Sequence, residues 1–328
     1  MIPIAITLDE TSDAATHFRT ALASFAGRVT TRFATGPTLA GALASAEIVA
    51  TKRPTEAQIA SAPKLRWLSS WAAGVERIAT PAFVARGILL TNASGVHGPN
   101  IAEHVLAMML MFARGMPRYV RAQETRVWQK PDDLLEDTPL VFELGGATLA
   151  IVGLGRIGEA LAVRARAFGM RVLGVKRVPS RRHDADVAVD GVYGLADLRA
   201  VLAEADHVCI AMPLTRETRG LFDRERLAWM KPGAYLYDIA RGEIVDERAL
   251  VEALSSGRIA GAGLDVFERE PLPKESALWG LPNVIVTPHV AGLTPRYFER
   301  AAALFARNLD RYLRGEPLEN VYDPAREY

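Results

Sequence analysis

The chain has 328 residues, enough for roughly two domains that each bury a core. Basic and acidic side chains nearly cancel, 39 against 38, so a net charge of +1 offers no global attraction to nucleic acid or an anionic membrane, and any basic cluster has to be judged locally. The one cysteine, Cys209, excludes an intramolecular disulfide and fits a reducing compartment, so a cytoplasmic protein is expected.

The N-terminal "MIPIAITLDE" meets acid at once and lacks a basic start, so it reads as a first strand rather than a signal peptide. The short apolar runs "IPIAITL", "EIVATK", "LRWLSSW" and "GILLTN" alternate with Ala- and Leu-rich segments of helical character. That alternation predicts a parallel sheet with helices on both faces. Next, "GVHGPNIAEHVLAMMLMFARGM" opens on turn residues and runs helically from about Pro99. Glu103 and His104 interrupt its apolar run, which falls short of the ~18 to 20 residues a membrane helix needs.

A second set of runs follows from Ala147: "ATLAIVG", "RVLGV", "HVCIAMP", "AYLYDI", "IAGAGLDV" and "NVIVTP". Two doubly wound parallel-sheet units are therefore expected, joined by the helix around His104. From Pro295, "PRYFERAAALFARNLDRYLRG" has apolar residues at helical spacing and ends on Gly315, and such a helix can return to cover the first sheet.

In "ATLAIVGLGRIGEALAVRARAFG", Gly153, Gly155 and Gly158 stand in GxGxxG spacing after a strand and before a helix. The first glycine permits a tight turn, the second lets the backbone approach a pyrophosphate, and the third allows close helix–strand contact, while the free amides of the helix start face the phosphates. This makes Gly153, Gly155, Arg156, Ile157 and Gly158 the candidate dinucleotide loop.

About 20 residues further on, an NAD site places an acid to accept bonds from the adenosine ribose. Here Lys176 and Arg177 occupy that neighbourhood, within "RVLGVKRVPSRR". A guanidinium can grip a 2′-phosphate through charge-assisted bonds, so NADP(H) is favoured over NAD(H), with Arg177 as the lead contact and Ser180, Arg181 and Arg182 as helpers.

Three later segments, "YDIARGEIVD", "GAGLDVFEREPLP" and "VIVTPHVAGLTP", follow the Gly loop in a fixed order. With them the chain resembles, from end to end, the D-isomer-specific 2-hydroxyacid dehydrogenase family. The resemblance implies a flavodoxin-like substrate domain, residues 1–98 plus 292–328, and a Rossmann nucleotide domain, residues 99–291, with the active site in the cleft between them. It also implies a homodimer, which the Met-rich stretch at 108–111 would suit, although such a stripe is more often plain core.

Carried over by position, the resemblance makes Arg241 the substrate clamp, Glu270 the partner that orients the histidine, and His289 the general acid/base. Reducing a 2-keto acid leaves a nascent alkoxide that needs a proton, which is histidine chemistry, and a planar guanidinium suits the substrate carboxylate. The family match assigns Asp265 a supporting role near the cofactor. Pro213 and Thr218 in "AMPLTRETRG" fall beside the nicotinamide. Ala73 and Gly74 in "LSSWAAGVERI" supply backbone amides to the substrate carboxylate. His97 and Asn100 lie at the expected hinge, facing the cleft or capping the helix, and Trp71, Tyr297 and Phe298 are candidates for narrowing the substrate pocket.

The implied function is reduction of a small 2-keto acid, such as glyoxylate or hydroxypyruvate, to the D-2-hydroxy acid. Phosphoglycerate, formate and phosphite dehydrogenases share the scaffold, and corepressor-like relatives bind dinucleotides without turnover, so these stay open as alternatives. No nucleic-acid or membrane partner is expected, and the six histidines form no metal-ligand spacing.

Overall fold

Apolar runs without strict alternation belong to strands covered on both faces, and the computed structural model, which describes residues 1–128, 141–179 and 189–328, contains two such sheets. Contacts divide the chain into two units, one of Met1–Val96 with Thr294–Tyr328, the other of His97–Leu293.

In the first unit the strands are β1 (Ile2–Ile6), β2 (Val29–Phe33), β3 (Ile48–Thr51), β4 (Trp67–Ser70) and β5 (Leu89–Thr91). They are all parallel in the order β2-β1-β3-β4-β5, the flavodoxin-like arrangement. Helices α1 (Asp13–Leu22), α2 (Leu39–Ser45), α3 (Glu56–Ala60) and α4 (Pro81–Ala85) connect them. Successive strand residues face opposite layers: Ile4, Ile6, Ile48, Ala50 and Trp67 pack with Phe18 and Leu22 of α1, while Ala5, Val49, Leu68 and Leu90 pack with Leu43 and Ile59. Sequence reading does not anticipate β2, because its "VTTRF" carries polar residues on an edge strand.

The second unit begins with α5 (Gly98–Ala113) and α6 (Met116–Glu124), separated by Gly115 in a left-handed conformation. It continues through β6 (Thr148–Val152), α7 (Arg156–Ala167), β7 (Arg171–Val175), β8 (Gly191–Tyr193), α8 (Leu198–Glu204), β9 (His207–Ile210), α9 (Arg224–Trp229), β10 (Tyr235–Asp238), α10 (Glu247–Ser255), β11 (Gly261–Leu264) and β12 (Val284–Val286). The parallel order is β12-β11-β10-β9-β6-β7-β8, so the chain winds outward from β6 first one way and then the other. The three-residue edge strand β8 is another element that leaves no apolar run to read.

Here too the two faces of the sheet are distinct. Leu149, Ile151, Val172 and Cys209 pack against α5 and α7, and Ala150, Val152, Val208 and Leu236 against the layer of α8, α9 and α10. Met108 and Met109 belong to the first of these layers, 2 % and 0 % exposed, which makes them core side chains. Among the described residues no helix is long and apolar enough to cross a membrane.

The last helix, α11 (Tyr297–Arg314), ends on Gly315 in a left-handed cap and belongs to the first unit. Its Ala301, Leu304, Phe305 and Leu309 complete the core layer of α1, and Phe305 stacks on Trp67 with centroids 5.3 Å apart.

Candidate active site

In parallel α/β sheets ligands gather outside the carboxyl ends of the strands, at the point where the winding reverses. In the second unit that point is β6. The Gly loop follows β6, Lys176 and Arg177 follow β7, and Pro213 and Thr218 follow β9. Arg241 follows β10, Asp265 follows β11, and His289 follows β12. One edge of one sheet thus carries all of these residues.

The three glycines of the loop do different things. Gly153 has φ +111°, and a Cβ there would lie 2.5 Å from the Ala211 carbonyl carbon, so the turn off β6 demands glycine. A Cβ on Gly158 would meet the Gly153 oxygen at 2.7 Å, which lets α7 sit tightly on the strand. Gly155 is different: its φ of −104° is ordinary and nothing lies within 4 Å of a Cβ built there. The open space sits at the start of α7, where Arg156 and Ile157 contribute first-turn amides, and this fits a pyrophosphate approaching the backbone.

The amides of Gly153 and Leu154 donate to the Val175 carbonyl at 3.0 Å each, which ties the loop to the end of β7. Lys176, half-buried, and Arg177, exposed, come next in the chain. Arg177 Nη2 donates to Glu217 Oε2 at 2.7 Å, in the turn after β9. A cation therefore stands in the neighbourhood where an acid would serve an adenosine ribose, next to the Gly loop. Ser180, Arg181 and Arg182 lie outside the described residues.

After β9, the Thr218 hydroxyl donates to the Pro213 carbonyl at 2.7 Å and accepts from the Thr215 amide at 2.8 Å. Its proton is committed to the turn, so Thr218 shapes the loop, leaving exposed Pro213 as the outward surface.

Arg241 lies just beyond Asp238, the last residue of β10. Asp238 is fully buried and caps the turn by accepting from the Ala240 amide at 2.9 Å; burial pushes its carboxyl well above the usual carboxylate range. Arg241 itself donates from Nη1 to the Ala240 carbonyl at 2.7 Å. A Cβ on the next residue, Gly242, would fall 1.8 Å from the Phe267 carbonyl carbon, so only glycine lets this turn lie against the segment that carries Glu270. Glu270 in turn accepts from the Phe267 amide through Oε1 at 3.2 Å, and through Oε2 it meets His289 Nδ1 at 2.7 Å. The structure thus joins Glu270 to His289 directly and brings the Arg241 turn against the Glu270 segment.

His289 is 46 % exposed with φ +55°, a left-handed conformation that costs a non-glycine residue about 1 kcal/mol. Asp265 holds it there. That carboxylate, 2 % exposed, accepts from the Thr287 hydroxyl at 2.6 Å and from the amides of Val290 and Ala291 at 2.9 Å each, so both flanks of His289 are pinned to one group. Asp265 anchors the loop, and its two oxygens are occupied in doing so.

In the first unit, Ala73 and Gly74 lie in the turn after β4, and their amides donate to no acceptor among the described residues. Trp71 is core rather than pocket wall, 6 % exposed and tilted on Phe18 at 5.5 Å. The Tyr297 hydroxyl donates to the Trp71 carbonyl at 2.6 Å, and Phe298 packs edge-on to Trp71, so both fix the turn that presents Ala73 and Gly74. Burial pushes the Tyr297 hydroxyl up to about 12, which keeps it a donor.

His97 is the N-cap residue of α5 but makes no side-chain cap bond. Asn100 instead reaches the loop beyond His289, donating to the Ala291 carbonyl at 2.7 Å. Sequence reading missed His104, Thr287, Glu217 and Asp238. Of these only Asp238 left a local signal, an acid closing an apolar strand.

Residues 106–291 match the family model described as D-isomer specific 2-hydroxyacid dehydrogenase, NAD binding domain. A glyoxylate reductase of Pyrococcus furiosus is 42 % identical over 260 residues, 78 % of this chain and 75 % of that protein. A D-isomer specific 2-hydroxyacid dehydrogenase from Xanthobacter autotrophicus Py2, solved in complex with NADPH and MES, superposes with a TM-score of 0.81 at 31 % identity, covering 100 % of both chains. The NADPH-dependent glyoxylate/hydroxypyruvate reductase of Sinorhizobium meliloti, solved with NADP and sulfate, gives a TM-score of 0.80 at 28 % identity, again over 100 % of both.

Proposed function

The chain belongs to the D-isomer specific 2-hydroxyacid dehydrogenase family, and from that premise we propose that it reduces a small 2-keto acid of the glyoxylate or hydroxypyruvate type to the D-2-hydroxy acid, with NADPH preferred over NADH. The observation that carries the reading is the pairing of His289 Nδ1 with Glu270 Oε2 at 2.7 Å, on the strand edge that also bears the Gly loop.

The open space at Gly155, the start of α7 and the cation of Arg177 suit a dinucleotide with a 2′-phosphate. When bound, that cofactor supplies the hydride for the carbonyl carbon. Arg241 binds the substrate carboxylate through its fork and polarises the keto oxygen. Glu270 engages Nδ1 of His289 and so sets the ring; Nε2 is the nitrogen left to give the carbonyl oxygen its proton. Asp265 serves the reaction by seating the His289 loop.

A homodimer accords with the apolar Met116, Val120 and Trp128 exposed on and just beyond α6, and a cytoplasmic setting accords with the lone, buried Cys209. The deciding assay follows NADPH absorbance with a panel of 2-keto acids. Oxidation with glyoxylate or hydroxypyruvate is expected; tight NADPH binding without turnover on any panel member would sink the enzyme reading.

A further inference from the structure

We propose that His104, on α5, is a positioning residue for the proton-donating loop, acting on His289 through Thr287 and Asp265. The inference rests on the reading of His289 as the proton donor. His104 Nε2 lies 3.0 Å from Thr287 Oγ1, and Thr287 Oγ1 donates to Asp265 Oδ1 at 2.6 Å. A hydroxyl has one proton, and that of Thr287 goes to Asp265, so its lone pair faces His104 and Nε2 must be the donor. The hydrogen on the ring is therefore assigned by the network. At 3.8 Å, Nε2 is too far from Asp265 Oδ1 to bond it directly, which makes the Thr287 hydroxyl the necessary link.

The chain of donors ends on backbone. Asp265 Oδ1 accepts from the Val290 amide and Oδ2 from the Ala291 amide, so the carboxylate carries Thr287 on one side of His289 and two amides on the other. One turn before His104, Asn100 donates to the carbonyl of the same Ala291. Two side chains of one helix face thus hold the loop from both ends of its hydrogen-bonding capacity, one feeding the carboxylate that takes the Ala291 amide and one taking the Ala291 oxygen. Asp265 is 2 % exposed, and a Thr287 hydroxyl that no longer accepts from His104 loses what orients its proton onto that buried carboxylate, whose remaining bonds then relax. His289 sits at φ +55° and depends on those bonds for its seat, so the expected effect is a shift of the imidazole without loss of cofactor binding.

The test compares His104→Phe, which keeps the ring volume without a donor, with His104→Gln, whose amide nitrogen can replace Nε2. His104→Phe is expected to lower kcat about tenfold with the NADPH Kd unchanged, and His104→Gln to recover to within about twofold of wild type. Thr287→Val is expected to match His104→Phe, and the double variant to be no slower than Thr287→Val alone, because both break one path. Backbone amide exchange over residues 287–291 is expected to quicken in His104→Phe and Thr287→Val and not in His104→Gln. Should His104→Phe fail to fold, Thr287→Val against Thr287→Ser asks the same question at the middle link. Unchanged kcat and exchange in the variants without a donor, or a Gln variant as impaired as the Phe one, overturns the proposal. Exchange needs no turnover, so an inactive wild type condemns the functional reading while the exchange result alone decides the relay.

Discussion

Arg177 Nη2, at the carboxyl end of β7, lies 2.7 Å from Glu217 Oε2 in the turn that follows β9. The side chains are 37 % and 60 % exposed, and an ion pair so wet contributes only about 0 to 1 kcal/mol. A 2′-phosphate offers a doubly charged, multidentate partner and can displace the carboxylate. Charge-assisted bonds are each worth about 1.5 to 3 kcal/mol, so Arg177→Ala should lower kcat/KM for NADPH roughly ten- to a hundredfold. NADH should be little affected, and Glu217→Gln should sharpen the preference for NADPH. Steady-state kinetics with both cofactors checks this; a wild type that prefers NADH, or a ratio untouched by Arg177→Ala, refutes it.

The bond between His289 and Glu270 predicts a division of labour. His289→Asn removes the proton donor and should cut kcat by about 10² to 10⁴ with the NADPH Kd unchanged. Glu270→Gln keeps a partner for Nδ1 but not its charge, and should cost less than His289→Asn. A fluorescence titration of NADPH alongside the rates separates loss of chemistry from loss of binding.

Gly153 and Gly155 should respond oppositely to the same substitution. Gly153→Ala forces a Cβ to 2.5 Å from backbone at φ +111° and should lower the melting temperature by several degrees or prevent folding, a cost of a few kcal/mol. Gly155→Ala meets no atom within 4 Å, so the fold should survive while NADPH binding weakens. Thermal melts with and without NADPH read both effects, and full NADPH affinity in a folded Gly155→Ala would contradict the placement of the pyrophosphate.

His207, on β9, is 1 % exposed, stacked on Tyr235 and within 3.1 Å of the Tyr237 hydroxyl; burial pushes its imidazole down to about 4, against an opposing pull from Asp206. The unfolded chain takes up the proton below about pH 6.5, while the folded chain refuses it until about pH 4. Stability from the neutral ring is therefore complete above about 6.5 and is lost as pH falls through that window, by roughly 3 kcal/mol in all. His207→Phe removes this dependence. It should be less stable than wild type at pH 7, where the Tyr237 hydroxyl loses its partner, and the gap should narrow by pH 5. Urea unfolding at the two pH values tests it, and a constant gap speaks against it.

How much of this was readable in the sequence depends on the range of each interaction. The Gly loop, β6 and α7 are contiguous, so their spacing alone announces them. The apolar strands β1, β3, β4 and β6 are equally plain, whereas β2, with Thr30 and Arg32 exposed, and the short β8 carry no such signature. Arg241, Glu270 and His289 were placed by motif order, but neither the tight seat of Gly242 nor the clasp of Asp265 on the loop follows from residue types. His104 and Thr287 are 183 positions apart, and Arg177 and Glu217 are 40 apart; no local pattern connects them. Thr218, which motif order sets beside the nicotinamide, donates its hydroxyl proton within its own turn, a partner decided by geometry that composition does not encode.

The contribution of α11 to the core of the first unit has a consequence for how the protein is made. Ala301, Leu304, Phe305 and Leu309 lie in one cluster with Ile4, Phe18 and Trp67, so one face of the first sheet has only α1's share of its covering layer until residues beyond Thr294 exist. Synthesis proceeds at about 5 to 20 residues per second, which leaves the opening 96 residues waiting on the order of ten seconds or more behind the whole of His97–Leu293. The unit born second is thus free to finish folding first. Through that interval Trp67 is without the Phe305 and Tyr312 rings it stacks on, and the order of birth and the order of completion can run in opposite directions.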